Sequence, residues 1–248
     1  MPREARERSK TGIYHVVTRG VNQQNIFLND KDKNEYIKRI QKYKNECSFQ
    51  IYAYCLMDNH THLLLKEAEI GVSKIMRKLT TSYVHYFNQE YGRTGPLFQD
   101  RYKSEPVEDD RYLLAIIRYI HQNPILIGKK ISDWTSYGDY TDHEGITDTD
   151  FALKMFAEER KKALKLFEEY TSEANGDKYL DIMADKRLSD NEATKAIKDL
   201  LGDNAEAFMQ NLDKKQRNDY IAKLKDIGLS IRQIERLTGV NRGVVLKV

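Results

Sequence analysis

The chain is poor in cysteine and has no long apolar run. Cys47 and Cys55 are its only cysteines and form no CxxC pattern, so we expect a reduced intracellular protein. No stretch approaches the roughly 20 apolar residues that a membrane-spanning helix needs, and the polar, charged N-terminus is unlike a signal peptide. These absences predict a cytoplasmic protein without a membrane partner. At 248 residues the chain can bury one or two cores.

Charge is nearly balanced overall but unevenly distributed. The chain has 41 Lys+Arg against 38 Asp+Glu. Residues 1–140 contain 22 basic and 17 acidic residues (net +5), residues 141–213 contain 10 and 18 (net −8), and residues 214–248 contain 9 and 3 (net +6). Two basic ends that flank an acidic middle predict two nucleic-acid-facing modules joined by a solvated helical segment.

The most informative motif is a pair of histidines, His60 and His62, directly before three leucines at 63–65. The leucine run has no helical period and predicts a buried strand. Because side chains alternate faces along a strand, both histidines should point one way and Thr61 the other. Two imidazoles on one face of a strand can hold a divalent metal. The alternative is two surface histidines on an edge strand.

A second segment, residues 110–120, predicts an amphipathic helix that ends before Pro124. Tyr119 and Asn123 are four residues apart and share one helical face. Asn123 could be the third ligand of a hard cation such as Mg²⁺ or Mn²⁺, with Tyr119 as a nucleophile one turn away. The alternative is a half-buried aromatic residue followed by a helix-capping asparagine. Tyr112, seven residues earlier on nearly the same face, is a rival nucleophile.

Hydrophobic periodicity predicts the elements around these motifs. Strands are expected over residues 13–19, 49–57 and 98–107, and helices over residues 30–47 and 72–91. With the histidine strand and the tyrosine helix, the predicted order is β-α-β-β-α-β-α. This order is typical of an α+β, ferredoxin-like sheet with one extra helix.

Together these motifs resemble the single-tyrosine transposases of the HUH nuclease superfamily, of the REP-associated and insertion-sequence type. The resemblance rests on the His-x-His strand and on the Tyr-Ile-x-x-Asn-Pro helix that follows it. Two further phrases, Thr18–Asn22 and Gly95–Ser104, resemble the family's first strand and the segment before its tyrosine helix. The similarity runs from about Thr11 to Ile131. It implies that residues 1–140 form a ferredoxin-like catalytic domain.

The resemblance also implies a chemistry. Tyr119 would attack a DNA phosphodiester, take the 5′ phosphate as a covalent phosphotyrosine and leave a 3′-OH. Mg²⁺ or Mn²⁺ would lie on His60, His62 and Asn123. Some family members use glutamine on this helix, so Gln122 is an alternative third ligand, although the family spacing favours Asn123. Single-stranded and hairpin DNA would be the substrates, and family members work as monomers or homodimers.

Three basic residues of this region are candidate phosphate contacts. Arg101 and Lys103 lie on the predicted strand that leads to the tyrosine helix, and Arg19 ends the first strand. Arginine and lysine supply most contacts to the DNA backbone. Each of the three residues is about as well explained as a plain surface charge.

The C-terminal end predicts a helix-turn-helix. Ser230 and Gln233 can form a capping box for a first helix. Gly239 allows a tight turn, Val240 can pack between the helices, and Asn241 can cap a second helix. An ordinary helical hairpin is the alternative.

The region resembles the DnaA C-terminal type of DNA-binding bundle. This second resemblance implies that residues 177–248 form a helical domain that binds duplex DNA, with residues 141–176 as an acidic helical linker. The candidate DNA contacts are four basic residues of this region, namely Arg232, Arg236, Arg242 and Lys247.

Two functions follow from these observations. The first is a DNA strand transferase that nicks and rejoins single strands, and the second is a domesticated, non-mobile DNA-binding regulator that keeps the fold. The presence of His60, His62, Tyr119 and Asn123 favours the first, because an inactive relative would be free to lose any of them. A metal hydrolase that uses water is disfavoured, since no general-base carboxylate accompanies the histidines.

Overall fold

The computed structural model describes residues 6–131, 133–142, 145–173, 190–202 and 204–248. The chain divides into two compact units, Met1–Asp181 and Ile182–Val248. Within the described ranges, no helix combines the length and apolarity needed to span a membrane.

The first unit begins with a mixed α/β arrangement. Its elements are β1 (Ile13–Arg19), α1 (Asp30–Cys47), β2 (Gln50–Met57), β3 (His60–Lys66), α2 (Gly71–Glu90), β4 (Lys103–Pro106) and α3 (Asp110–Gln122). The strands form an antiparallel sheet in the order β2-β3-β1-β4. The predicted order of elements is confirmed, and the bounds of β1 and α1 are those expected.

The fourth strand is shorter than predicted. Only Lys103–Pro106 pairs with β1 along a continuous ladder. Phe98 makes an isolated bridge with Gly20, and the Gln99 amide donates to the Arg19 carbonyl at 2.9 Å. Residues 98 and 99 therefore bond to the C-terminal end of β1, and regular pairing with β1 resumes only at Lys103. The strand expected over residues 98–107 is thus interrupted.

The sheet separates two hydrophobic cores. Leu63 and Leu65 pack in a core with α1 and α2, whereas Leu64 packs in a second core with α3. This division follows from the alternation of side chains along a strand. His60 and His62 alternate in phase with Leu64, so both lie on the face that α3 covers.

Over its described residues the first unit has three further α-helices, namely α4 (Tyr137–Asp142), α5 (Thr149–Leu153) and α6 (Arg160–Ser172). Leu153, Ala163 and Phe167 are buried in the second core. The described part of the expected linker therefore packs on the sheet, which differs from the predicted solvated segment. Ala163 and Phe167 are four residues apart on one helical face, while the acidic residues that suggested a linker occupy exposed positions such as Glu168.

The second unit is helical over its described residues. Its elements are α7 (Asp190–Leu201), α8 (Ala205–Gln210), α9 (Lys214–Asp226), α10 (Ile231–Thr238) and α11 (Arg242–Val245). The capping box of Ser230 and Gln233 starts α10, Gly239 ends it at φ 67°, and the Asn241 side chain caps α11. The predicted local signals are thus present. Residues 177–189 of the expected helical domain lie outside the described residues.

Candidate functional site

His60 and His62 lie side by side at the start of β3. Their ring centroids are 5.0 Å apart, His62 is fully buried and His60 is partly exposed. Thr61 points to the opposite face, where its Oγ1 lies 2.7 Å from Thr18 Oγ1. The two imidazoles therefore share one face of the sheet.

Tyr119 meets the histidines from α3. Asp109 caps this helix by accepting a hydrogen bond from the Tyr112 amide, and the apolar stripe of the helix packs on the second core. The Tyr119 ring lies edge-on to His62, with 5.7 Å between the centroids. Tyr112, the rival nucleophile, instead donates its hydroxyl to the Glu105 carboxylate of β4.

A third histidine, His15 of β1, joins this group. Its Nε2 lies 3.0 Å from His62 Nδ1, and the two rings stack with centroids 5.3 Å apart. Burial lowers the pKa of His15 to about 3. Burial, and then the neighbouring His60 and His15, hold the pKa of His62 well below its usual range. Both buried rings are therefore neutral at pH 7, as metal-binding imidazoles must be.

Sequence reasoning missed His15. The available signal was a histidine at an alternating position of the predicted first strand, in phase with Ile13 and Val17. The information that was absent is the pairing of β1 with β3, which places Val17 opposite His62. A strand partner distant in the chain cannot be read from local periodicity.

The ring hydrogen bonds of the two site histidines suit metal binding. His60 Nδ1 lies 2.6 Å from the Asn59 amide oxygen, which can only accept, so Nδ1 carries the hydrogen and the neutral ring has its lone pair on Nε2. His62 Nε2 is buried and has no hydrogen-bond partner among the described residues. When His62 Nδ1 donates to His15, this Nε2 presents a lone pair. Metal-bound histidines are usually oriented in this way through their other nitrogen.

The two candidate amides on α3 point to different partners. Asn123 is buried at the C-terminal end of α3, and its side-chain nitrogen donates to the Tyr119 carbonyl at 2.9 Å. Gln122 donates from its side chain to the carbonyls of Thr171 and Glu173, each at 2.7 Å. The Gln122 amide is thus engaged at the end of α6, whereas the Asn123 amide is held beside the last turn of α3, at the Tyr119 carbonyl.

The donor set near His62 is limited. Over the described part of the chain, no three His, Cys, Asp or Glu side chains cluster as a metal site. Two imidazoles and one amide oxygen fit a divalent cation by type. Asn123 is the amide that the sequence suggested as the third ligand.

The three predicted phosphate contacts lie on or beside β1 and β4. Arg19 is opposite His60 in the β1–β3 register. Lys103 is opposite Val17, which is itself opposite His62. Directly opposed residues share a face, so both cations belong to the face of the histidines. Arg101 is exposed and lies just before β4.

The predicted contacts of the second unit are all at its surface. Arg232, Arg242 and Lys247 are exposed. Arg236 is exposed as well but forms an ion pair with Asp190 at 2.6 Å. Its charge is therefore partly engaged within the unit, while the other three positions carry positive charge on α10, on α11 and after α11.

Comparisons with known proteins bear on the first unit. Residues 9–123 match the family model described as "Transposase IS200 like". A REP-associated tyrosine transposase bound to a REP hairpin is 19% identical, with a TM-score of 0.49, and the match covers 60% of this chain and 96% of that one. A transposase structure from Deinococcus radiodurans R1 is 16% identical, with a TM-score of 0.35 and coverage of 48% and 96%. No curated protein matches the chain.

These results carry different weight. The two structural likenesses have TM-scores below 0.5. The family match is independent of them, and it includes His15, His60, His62 and Tyr119 and ends at Asn123. Residues 9–123, a little under half of the chain, are therefore similar to IS200-like transposases.

Proposed function

We propose that the protein is a metal-dependent DNA strand transferase that nicks and rejoins single-stranded DNA through a covalent phosphotyrosine, as in transposition. The observation that carries this proposal is the contact between Tyr119 and His62, 5.7 Å between ring centroids, within the segment that matches IS200-like transposases. A nucleophilic hydroxyl beside a pair of imidazoles is the arrangement that attack on a held phosphate requires.

The proposed step transfers a phosphoryl group to the tyrosine. The Tyr119 oxygen bonds to phosphorus and loses its proton, while the bond from phosphorus to the 3′ oxygen breaks and that oxygen leaves as a 3′-OH. The 5′ phosphate stays on the enzyme. Because one phosphodiester replaces another, a strand with a free 3′-OH can reverse the step and be joined without ATP.

His60 and His62, through Nε2, and Asn123, through Oδ1, would hold Mg²⁺ or Mn²⁺. Such an ion, when bound, polarises the phosphoryl oxygens and offsets their charge. Asn59 and His15 orient the two rings through Nδ1. The burial of His62 and Tyr119 excludes water from the nucleophile.

Single-stranded and hairpin DNA are the proposed substrates of the first unit, with Arg19, Arg101 and Lys103 on phosphates. Duplex DNA is the proposed partner of the second unit through its exposed basic residues. We interpret the β2-β3-β1-β4 order as the ferredoxin-like arrangement. The boundary proposed near residue 177 lies close to the division at Asp181.

A covalent adduct tests the proposal. Full-length protein is incubated with a single-stranded hairpin oligonucleotide from beside its own gene, with Mg²⁺ or Mn²⁺, and resolved under denaturing conditions. We expect an adduct that forms with metal, disappears with chelator and is absent for a scrambled oligonucleotide. Tight hairpin binding without any adduct would instead indicate the DNA-binding regulator.

A further inference from the structure

One ring nitrogen of His15 has no role in the candidate site as described so far. The Nε2 atom of His15 lies 3.0 Å from His62 Nδ1, but its Nδ1 is buried and has no hydrogen-bond partner among the described residues. The ring is fully buried and also lies edge-on to Tyr119, with 6.1 Å between the centroids. A buried polar atom that gives up its hydrogen bonds to water is costly unless it finds another partner.

The position of the hydrogen on His15 follows from the proposed role of His62. His62 can bind a metal through Nε2 only when that nitrogen is bare, so the single hydrogen of the neutral ring lies on Nδ1. His62 Nδ1 then donates to His15 Nε2, which must be bare in order to accept. A neutral His15 with a bare Nε2 carries its own hydrogen on Nδ1. His15 Nδ1 is therefore a buried donor in need of an acceptor.

Glu105 of β4 supplies a buried acceptor on the neighbouring strand. It is directly opposite His15 in the β1–β4 register, and directly opposed residues share a face of the sheet, with Cβ atoms about 4.5–5.5 Å apart. The Tyr112 hydroxyl of α3 donates to Glu105 Oε1, so the carboxylate lies on the face that α3 covers. Glu105 Oε2 is buried and accepts no hydrogen bond from any residue that the structure describes.

The order of the strands directs the unpaired nitrogen toward this carboxylate. β1 lies between β3 and β4 in the sheet. His15 Nε2 points to His62 on β3, and the two nitrogens of an imidazole point in nearly opposite directions, so Nδ1 is directed away from β3. The two unpaired atoms do not bond each other directly. One bridging water would join them, and such a water bonds buried polar atoms nearly as well as a direct contact does.

We propose that Glu105 is a positioning residue of the metal site. Through one water, its Oε2 holds the hydrogen of His15 on Nδ1, and this keeps the hydrogen of His62 away from Nε2. The proposal rests on the proposed function for the metal. Partners behind a metal-bound histidine commonly fix the ring in this way. Without an acceptor at position 105, the reverse arrangement becomes populated, in which His15 donates from Nε2 and the hydrogen of His62 lies on Nε2, where it blocks metal binding.

The positions of the ring hydrogens can be measured in metal-free, full-length protein. Proton–nitrogen correlation spectra distinguish a ring nitrogen that carries a hydrogen from a bare one, and His15→Ala and His62→Ala identify the signals of the two rings. At neutral pH we expect both rings to carry the hydrogen on Nδ1. Glu105→Leu keeps the bulk of the side chain but removes the acceptor, so the signals of both rings should shift toward a hydrogen on Nε2. Mn²⁺ affinity in calorimetry should then fall by about tenfold, as for other partners that orient a metal ligand.

Two further variants separate the hydrogen bond from a general disturbance of β4. Glu105→Gln keeps an acceptor oxygen, so it should retain the wild-type ring hydrogens and a Mn²⁺ affinity within about threefold of the wild type. Glu108→Leu is the matched control, because Glu108 is an exposed carboxylate of the same segment that accepts the Lys10 amide. This control should behave as the wild type does.

Three results would overturn the proposal. They are a wild-type His15 with its hydrogen on Nε2, a Glu105→Leu protein with unchanged ring signals, and equal shifts in Glu105→Leu and Glu105→Gln. The ring hydrogens are read without metal or DNA, so this result is separate from the covalent-adduct test. An absent adduct together with the expected ring signals would count against the proposed function and leave the role of Glu105 in orienting His15 intact.

Discussion

The Tyr119 ring on α3 lies edge-on to the His62 ring on β3, with 82° between the ring planes. Tyr119 is 7% exposed and His62 is fully buried. The contact therefore places the ring of the proposed nucleophile against an imidazole in a buried part of the protein. In such surroundings electrostatic interactions are stronger than in water, so a small number of side chains can dominate the chemistry.

Replacement of the nucleophile tests the assignment most directly. Tyr119→Phe removes only the hydroxyl and keeps the aromatic packing, so we expect loss of the covalent adduct with hairpin affinity nearly unchanged. Tyr112→Phe is the matched control on the same helix, because the Tyr112 hydroxyl donates a hydrogen bond to the Glu105 carboxylate. Adduct yield on a denaturing gel and affinity from anisotropy are measured. An adduct that survives in Tyr119→Phe and disappears in Tyr112→Phe would reverse the assignment.

Metal affinity should depend on the two site histidines. We expect His60→Ala and His62→Ala each to abolish measurable Mn²⁺ binding in calorimetry. His15→Ala should weaken binding by about 10- to 100-fold, the range for residues that orient a ligand. His85→Ala, an exposed position on α2, is the control and should bind as the wild type does. Unchanged Mn²⁺ affinity in both site variants would contradict the metal site.

The third ligand can be separated from its neighbour. We expect Asn123→Ala to lower Mn²⁺ affinity, because it removes the amide oxygen beside Tyr119. Gln122→Ala should leave the affinity unchanged and lower the free energy of unfolding by about 1 kcal/mol, since its hydrogen bonds go to α6. Calorimetry and urea unfolding of both variants are compared. A metal defect confined to Gln122→Ala would exchange the two roles.

Local sequence signals predicted much of the fold. Alternation placed His60 and His62 on one face, and the β1, α1 and α3 segments were found where their periodicity placed them. These features depend on residues close together in the chain. The sequence left open whether Gln122 or Asn123 is the third metal ligand. On this question the structure adds that the two side-chain amides have different hydrogen-bond partners.

The features that the sequence did not predict depend on distant contacts. His15 enters the site through the pairing of β1 with β3. The packing of α5 and α6 on the sheet depends on apolar residues such as Phe167, whose face was obscured by the acidic composition of the segment. Trp134 adopts a positive φ against the local preference of tryptophan, and the hydrogen bond from the Leu56 amide to its carbonyl holds it at the edge of β2.

Stability should fall in weak acid because histidines are buried as neutral rings. Burial lowers the pKa of His121 to about 3, while an unfolded histidine titrates near about 6.5. Between these values the unfolded chain binds more protons, so stability is lost as the pH falls through this window. Each such histidine adds a slope of about 1.4 kcal/mol per pH unit.

His121→Gln tests this slope, because glutamine can keep a donor toward Ser136 Oγ, which lies 2.8 Å from His121 Nε2. Urea unfolding at pH 6.5, 5.5 and 4.5 should show a slope smaller by about one proton than in the wild type. His85→Gln, at an exposed position, should keep the wild-type slope. Equal slopes in the wild type and His121→Gln would show that the buried ring titrates in the folded state.

The C-terminal unit should act as a separate duplex-binding element. We expect Arg242→Ala to lower affinity for the native duplex by about 1–3 kcal/mol if the side chain reads a base edge. Lys247→Ala should reduce the slope of log affinity against log salt by about one, as for a phosphate contact. Arg236→Ala should have a smaller effect than Arg232→Ala, because Asp190 already engages Arg236. Lys195→Ala, at an exposed position on α7, is the control.

Deletion of the chain from Asp177 onward gives the complementary test. The residues proposed for catalysis end at Asn123, and the described helices up to Ser172 pack in the first unit. The shortened chain should therefore keep metal-dependent cleavage of a short single-stranded substrate while its affinity for the native duplex falls. Binding curves at two salt concentrations are compared for both proteins, because a basic contact surface loses affinity as salt rises. Equal duplex affinities would show that the C-terminal unit does not bind DNA, and its role would then be tested as oligomerisation.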